Sequence, residues 1–206
     1  MKERVNGLIL AAGLSSRMGT FKPLLPLQGK AVIDHTIDHM LLGGAKTIVV
    51  VTGYRRDDLT AYLSSRYPRQ VVFVDNEAYA STDMLESIRL GCRAMPACGA
   101  FFLMPADMPM VSPETFRALV RRRGSTRKTV VFPTLDGHRK HPPLIDFGLI
   151  PEILSFSGSE GLRGLWRQLE DRILTVPVRD QGVWIDLDTK QDYHTILKGT
   201  KSLCMS

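Results

Sequence analysis

Residues 8–30 read LILAAGLSSRMGTFKPLLPLQGK, and this stretch is the strongest indicator of the fold. The apolar run over residues 5–12 has the length of a buried strand. It passes into residues 13–19, a loop with two glycines, two serines and one arginine, and Lys22 follows. Glycines let a backbone approach an anion closely, and unpaired N–H groups at such a turn donate to phosphate oxygens. The sequence therefore predicts an anion-binding loop at the end of a buried strand.

The basic residues of the loop strengthen this interpretation. Arg17 and Lys22 add fixed positive charge, and a guanidinium can donate to two phosphate oxygens at once. The alternative is an ordinary surface turn, because glycine, serine and basic residues are common in turns. The spacing excludes a Walker A motif, since five residues separate Gly13 from Gly19 and Lys22 does not follow a glycine.

The rest of the chain alternates strand and helix patterns. The predicted strands cover residues 5–12, 47–52, 71–74, 100–104, 129–134, 173–178 and 183–187. The predicted helices cover residues 31–42, 59–65, 84–95, 112–122, 148–154, 161–169 and 190–197. This order predicts an α/β fold of three layers, αβα, around a mostly parallel, doubly wound sheet with right-handed crossovers. We expect one domain spanning residues 1–206.

The composition argues against several classes of protein. The hydrophobic fraction of 44% is ordinary for a globular chain. The sequence shows neither a long apolar span nor a charged leader followed by an apolar core, so we expect a cytoplasmic protein without a membrane partner. A net charge of +6 suits an anionic ligand, although a modest basic excess is also typical of solvated surface. No nucleic-acid-binding motif is present, so nucleic acid is not an expected partner. Cys92, Cys98 and Cys204 lack metal-ligand spacing.

Two aspartates stand where a metal-bound phosphate would need them. Asp107 follows the strand over residues 100–104 and so faces the carboxyl edge of the sheet, where such folds bind ligands. Mg²⁺ prefers one or two carboxylates together with water and phosphate oxygens. A helix cap is the alternative role for Asp107, but Ser112 is better placed for it. Alternation along residues 183–187 puts Asp186 and Asp188 on one side, so Asp186 is the candidate second ligand and Asp188 a helix cap or ligand.

The opening stretch resembles the signature of nucleotidyltransferases of the molybdenum-cofactor type, L-x-A-G-x-S-x-R-M-G-x-x-K-x-L-L-P. The matching positions are Leu10, Ala12, Gly13, Ser15, Arg17, Met18, Gly19, Lys22, Leu24, Leu25 and Pro26. The closest likeness is to the cytidylyl- and guanylyltransferases that make molybdopterin dinucleotide cofactors. This resemblance implies a Rossmann-type fold like that of the nucleotide-diphospho-sugar transferases. It also implies Mg²⁺-dependent transfer of a nucleoside monophosphate from an NTP to a phosphate of molybdopterin, with release of pyrophosphate.

The resemblance also implies roles for individual residues. Arg17, Lys22 and Asp107 are the expected catalytic residues, and Asp107 and Asp186 the expected Mg²⁺ ligands. The expected nucleotide-binding residues are Leu10, Ala11, Ala12, Gly13, Ser15, Ser16, Gly19, Asn76, Ser81, Thr82 and Asp83. Simple helix capping remains an equal alternative for residues 81–83. Ala12 resembles the cytidylyl version of the motif and favours CTP, with GTP possible.

The acceptor side is less well defined. Residues 136–145, DGHRKHPPLI, resemble a Gly-x-x-Gly-His-Pro segment that borders the acceptor in relatives, but Lys140 stands where glycine is usual. His138, His141 and Arg163 are the acceptor-side candidates, while loop histidines without a catalytic role are the alternative. Two other functions stay open at this point: a sugar- or polyol-phosphate nucleotidyltransferase, and a non-catalytic nucleotide- or RNA-binding module.

Overall fold

The computed structural model describes residues 4–14, 18–126, 128–158 and 160–203, with side chains of the last helix as far as Leu197. The strands are β1 Val5–Leu10, β2 Pro26–Leu27, β3 Lys30–Ala31, β4 Ala45–Thr52, β5 Val71–Asp75, β6 Ala100–Pro105, β7 Val130–Leu135, β8 His138–Arg139, β9 Leu144–Asp146 and β10 Ile173–Pro177. The α-helices are α1 Val32–Leu42, α2 Arg56–Arg66, α3 Met84–Arg93, α4 Pro113–Arg123, α5 Ile150–Ser155, α6 Leu162–Gln168 and α7 Lys190–Leu203. Short 3₁₀ helices cover Lys22–Leu24, Phe147–Leu149, Glu170–Arg172 and Gln181–Trp184.

Within the described residues, the main sheet has the strand order β10-β7-β9-β6-β1-β4-β5, and β8 pairs with β7. The central strand β1 is parallel to both β4 and β6. β5 continues the parallel arrangement beside β4, and β10 does so beside β7. The short β9 runs antiparallel between β6 and β7. The sheet is therefore mixed but mostly parallel, with the carboxyl ends of β1, β4 and β6 at one edge.

Helices cover both faces of this sheet. α1, α2 and α4 bury Ile37, Leu63 and Phe116 in one apolar layer, together with alternate residues of the central strands. α3, α5 and α6 bury residues such as Ile88 and Leu165 in the layer on the opposite face. The predicted three-layer, doubly wound α/β fold is thereby confirmed.

The central and edge strands differ in burial as their positions require. β4 is buried along nearly its whole length because strands and helices surround it, which is typical of an apolar, β-branched strand in a parallel sheet. The prediction that residues 71–74 form a buried strand was only half correct. β5 does form there, but it is the edge strand and is mostly half-buried, with Val72 38% exposed.

The predicted strand over residues 183–187 was wrong. Residues Gln181–Trp184 form a 3₁₀ helix instead, and the Asp180 side chain caps it by accepting from the Gly182 N–H at 2.9 Å. The chain then continues in an extended path without strand pairing as far as the start of α7. Thr189 caps that helix, because its hydroxyl accepts from the Asp192 N–H.

Helix α7 packs back onto the β2–β3 hairpin. Leu27, Val32, Leu187 and Ile196 form this small apolar cluster, which holds the carboxyl-terminal segment against the region that follows the opening loop. None of the helices in the described parts of the chain combines the length and apolar character needed to cross a membrane.

Candidate active site

A cavity of about 690 Å³ opens at the carboxyl ends of β1 and β6. Its wall comes from the residues that leave β1, those that leave β6, the start of α3 and the carboxyl-terminal segment. The lining residues are Leu10, Ala11, Ala12, Gly13, Leu14, Lys22, Pro23, Tyr79, Thr82, Asp83, Met84, Ser87, Pro105, Ala106, Asp107, Met108, His141, Arg163, Asp186 and Asp188. The carboxyl edge of a doubly wound sheet is the usual place for a ligand, and this cavity lies there.

Lys22 is the central cation among the described residues of this cavity. It opens the 3₁₀ helix Lys22–Leu24, and only 8% of the residue is exposed. Its Nζ donates to Asp107 Oδ2 at 3.0 Å and to Asp188 Oδ1 at 2.8 Å. Burial alone lowers the pKa of Lys22, but the hydrogen bonds and charges of the two carboxylates outweigh it, so the pKa is raised above 10.5. The ammonium thus joins two carboxylates that come from distant parts of the sequence.

A third carboxylate reaches the cavity through the extended carboxyl-terminal segment. The N–H of Leu187 donates to the backbone oxygen of Asp107 at 3.0 Å, and the Leu187 side chain is fully buried. Asp186 and Asp188, on either side of Leu187, both line the cavity. Burial of the Asp186 carboxyl, together with the charges of Asp107 and Asp188, raises its pKa above the ordinary value of 3.8. This side of the cavity therefore holds three carboxylates, Asp107, Asp186 and Asp188, that repel one another.

Asp180 and Gly182 attach the carboxyl-terminal segment to the start of α4. One oxygen of Asp180 accepts from the Ser112 N–H at 2.8 Å and from the Thr115 hydroxyl at 2.7 Å. A side chain at Gly182 would place its Cβ 1.9 Å from the backbone oxygen of Met110. Only glycine allows this close approach, and the approach sets the position of the segment that carries Asp186 and Asp188.

We expect Gly182→Ala to destabilise the fold and to weaken binding in the cavity. Overpacking of this kind costs about 1–3 kcal/mol. For a chain of this size, Tm falls by roughly 2–4 °C per kcal/mol. Thermal unfolding and calorimetric titration with CTP and Mg²⁺ measure the two effects. Gly124→Ala is the matched control, because Gly124 has φ −60° and a Cβ there would lie 3.6 Å from its nearest neighbour. Equal behaviour of the two variants would contradict the assigned role of Gly182.

The start of α3 forms another wall of the cavity. Asp83 caps this helix by accepting from the Glu86 N–H at 3.0 Å. Asn76 lies behind the wall, where its Nδ2 donates to Thr82 Oγ1 at 3.1 Å and to Ser87 Oγ at 3.0 Å. Asn76 is buried and does not line the cavity, so it positions the turn that carries Thr82 and Asp83.

The structure brings together most, but not all, of the residues singled out from the sequence. Those that line the cavity are Leu10, Ala11, Ala12, Gly13, Lys22, Thr82, Asp83, Asp107, His141, Arg163 and Asp186. Four others do not belong to its lining: Gly19, Asn76, Ser81 and His138. Ser15, Ser16 and Arg17 lie outside the described residues. The role of each of these residues stays a prediction.

The two histidines of residues 136–145 occupy different environments. His141 lines the cavity, and its Nδ1 lies 3.4 Å from the backbone oxygen of Leu103. Burial lowers the pKa of His141 below 6.5, so the ring is neutral at pH 7. His138 is on the exposed strand β8 and contacts Trp184 edge to face, with the ring centroids 6.2 Å apart. The two rings are therefore not arranged as a metal-binding pair.

Several lining residues were missed at the level of sequence. Ser87 follows Asp83 by one helical turn, and this spacing places both on the same face of α3. That spacing was a usable signal for Ser87. Tyr79 and Met84 lie in the same segment, but no sequence pattern indicates that either residue faces a cavity. Leu14 is apolar and 48% exposed at the cavity, which no sequence pattern indicates.

The donor set fits a magnesium ion held jointly with a phosphate ligand. Among the described residues, no three His, Cys, Asp or Glu side chains are arranged to hold a metal by themselves. Mg²⁺ keeps several waters and commonly takes only one or two carboxylates plus phosphate oxygens. Burial, followed by the charges of Asp107 and Asp188, destabilises Asp186 as an anion, and a divalent cation would offset the repulsion between the carboxylates. Carboxylates that face a cavity of this size leave room for the water and phosphate oxygens that Mg²⁺ also requires.

A mostly parallel sheet with a buried lysine and facing aspartates at its carboxyl edge fits the α/β nucleotidyltransferases. Residues 7–173 match the family described as "MobA-like NTP transferase domain", and the chain belongs to that family. The structure is similar to a nucleotidyl transferase from Methanothermobacter thermautotroptrophicus, with TM-score 0.79, 25% identity, and coverage of 95% of this chain and 97% of that one.

Two curated relatives cover almost the whole chain. The nicotine blue oxidoreductase of Paenarthrobacter nicotinovorans is 30% identical over 94% of this chain and 96% of its own length. The molybdenum cofactor cytidylyltransferase of Escherichia coli K12 is 28% identical over 93% of this chain and 94% of its own length. The two names describe different reactions, so similarity alone does not assign one of them to this chain.

Proposed function

We propose that this protein transfers a nucleoside monophosphate, with CMP favoured, from an NTP to a phosphate of molybdopterin. The observation that carries the proposal is the meeting of Lys22, Asp107, Asp186 and Asp188 with the backbone of residues 10–13 around one cavity. An open cavity of about 690 Å³ is within the range that small-molecule substrates occupy. The similarity to a molybdenum cofactor cytidylyltransferase supports the choice of base and acceptor.

The reaction needs little proton transfer, because a phosphate oxygen is already a nucleophile at neutral pH. That oxygen attacks the α-phosphorus of the NTP in line, a new P–O bond forms, and the bond to the β-phosphate oxygen breaks to release pyrophosphate. Catalysis then consists of holding the two substrates in line and neutralising their charge. The chain contributes the backbone of residues 10–13 against the nucleotide and the positive charge of Lys22 beside the phosphates.

Asp107 and Asp186 are the residues that would hold Mg²⁺, and Asp188 shares the Lys22 ammonium with Asp107. When bound, the ion supplies charge neutralisation for the triphosphate and for the pyrophosphate that leaves. Lys22 keeps Asp107 and Asp188 in fixed positions, and the Leu187–Asp107 backbone bond keeps Asp186 beside them. The chain's own task is therefore to present fixed carboxylates at the carboxyl end of β6.

Release of pyrophosphate tests the proposal. The purified protein is incubated with Mg²⁺, molybdopterin and CTP, GTP, UTP or ATP in turn, and calorimetry measures the affinity for each nucleotide. We expect CTP to bind and to give the fastest release, and chelation of Mg²⁺ to abolish it. If pyrophosphate were released only with sugar or polyol phosphates, the acceptor would differ from molybdopterin but the class of reaction would be the same. Absence of NTP binding in the presence of Mg²⁺ would overturn the proposal.

A further inference from the structure

The half-buried Lys140 and the exposed Trp184 form a pair that the reaction chemistry above does not use. The Lys140 Nζ lies over the face of the Trp184 ring, 2.7 Å from its centroid. The indole is large and apolar, yet Trp184 is 46% exposed. His138 forms a T-shaped contact with the same ring, at an interplanar angle of 71°. An exposed indole flanked by a cation and an imidazole is a ready contact surface for a ligand.

The backbone around both residues is well fixed. Residues 136 and 137 connect β7 to β8 as a two-residue turn with φ values of 51° and 80°, which is the hairpin geometry that Asp-Gly favours. The Lys140 N–H donates to the Pro133 oxygen at 2.9 Å, which ties this residue to β7. Trp184 ends the 3₁₀ helix that Asp180 and Gly182 attach to α4. The pair is thus presented by two anchored segments.

The pair also lies at the rim of the cavity. His141, the neighbour of Lys140, lines the cavity, and so does Asp186, two residues after Trp184. The ammonium of Lys140 is close enough to both groups to interact with them electrostatically. A ligand that reaches the carboxylates from this side would contact the indole and the ammonium.

We propose that the Lys140–Trp184 pair selects the acceptor, with the indole stacking on a flat ring and Lys140 binding an anionic group of the same molecule. This inference rests on the proposed function and identifies two residues that recognise the acceptor substrate. A sugar ring can also pack on an indole, but its hydroxyls need acceptors as well as donors. The Lys140 ammonium and the indole face offer hydrogen-bond donors, positive charge and a flat apolar surface. They therefore favour a planar anion over a polyol.

Calorimetry without turnover tests the pair directly. The protein is first saturated with Mg²⁺ and α,β-methylene-CTP, and is then titrated with pterin-6-carboxylate as a flat anion or with glucose 1-phosphate as a non-planar anion. We expect the pterin to bind at least ten-fold more tightly than the sugar phosphate. Trp184→Ala should remove this preference, Trp184→Phe should keep most of it, and Lys140→Gln should weaken both probes.

Two variants serve as matched controls. Trp166→Phe changes the indole that packs on Phe132, and Lys46→Gln changes an exposed lysine on β4, so neither should alter the binding of either probe. The affinity for α,β-methylene-CTP should be the same in every variant. A variant that had lost its structure would bind this nucleotide more weakly. An unchanged preference in Trp184→Ala, or a wild-type preference for glucose 1-phosphate, would overturn the inference. Failure of α,β-methylene-CTP to bind the wild type would instead overturn the proposed function.

Discussion

Replacing Asp107 by asparagine is expected to lower the rate of pyrophosphate release by about 10³-fold, because it removes a fixed charge from the centre of the site. Asp107 lies two residues after the end of β6, and its carboxylate accepts from Lys22 at 3.0 Å. The amide has the same shape and keeps one oxygen for Lys22, while Asp188 remains the second partner of the ammonium. The fold should therefore survive, and the loss should appear in kcat rather than in Tm.

Asp171→Asn is the matched control for this experiment. Asp171 is exposed in the 3₁₀ helix Glu170–Arg172, away from the lining of the cavity, so the same chemical change should leave the rate unaltered. Circular dichroism and thermal unfolding establish whether each variant is folded. Full activity of a folded Asp107→Asn protein would remove this carboxylate from the proposed chemistry.

The fold could be predicted from the sequence because local patterns and topology agree. The apolar run of residues 5–12 and the β-branched run of residues 47–52 mark neighbouring parallel strands, and the helical pattern of residues 31–42 supplies the crossover between them. The antiparallel strand β9 escaped prediction. It has three residues, and it is defined by pairing with β6 and β7, which are distant in sequence.

The position of Asp107 could be predicted because the end of a central parallel strand always faces the ligand edge. Asp186 and Asp188 were placed on the correct side for an incorrect reason. An unpaired extended chain alternates its side chains as a strand does, so the alternation held although no strand forms. The contact that places them, between Leu187 and Asp107, is long-range and leaves no local pattern. The Lys140–Trp184 contact escaped prediction for the same reason.

The second large effect is expected from Asp186→Asn, which should lower activity and raise stability together. Loss of a fixed carboxylate at the phosphates should reduce kcat by about 10²–10³-fold. Burial, Asp107 and Asp188 raise the pKa of Asp186, so its ionised form is less favourable in the folded chain than in the unfolded chain. The neutral amide removes that repulsion, and we expect Tm at pH 7 to rise by roughly 1–3 °C.

The pH dependence of the stability gain distinguishes this electrostatic effect from a change in packing, which would not depend on the ionisation of Asp186. A carboxyl whose pKa is raised on folding favours the native state at low pH, and that advantage is lost as the pH rises through the raised pKa. The stability gain of Asp186→Asn should thus be present at pH 7 and disappear below about pH 3.8, where the wild-type carboxyl is protonated whether the chain is folded or unfolded.

Magnesium provides the second arm of the same experiment. Mg²⁺ added together with α,β-methylene-CTP, and bound only by the folded chain, should raise the Tm of the wild type, because the cation neutralises the crowded carboxylates. The same concentration should raise the Tm of Asp186→Asn less, since one ligand is missing and part of the repulsion is already relieved. Asp171→Asn should respond to Mg²⁺ like the wild type. The prediction would be contradicted if Asp186→Asn were less stable than the wild type at pH 7 and its Tm rose by the same amount with Mg²⁺. Asp186 would then be a structural residue, and the carboxylates of this cavity would not be coupled electrostatically.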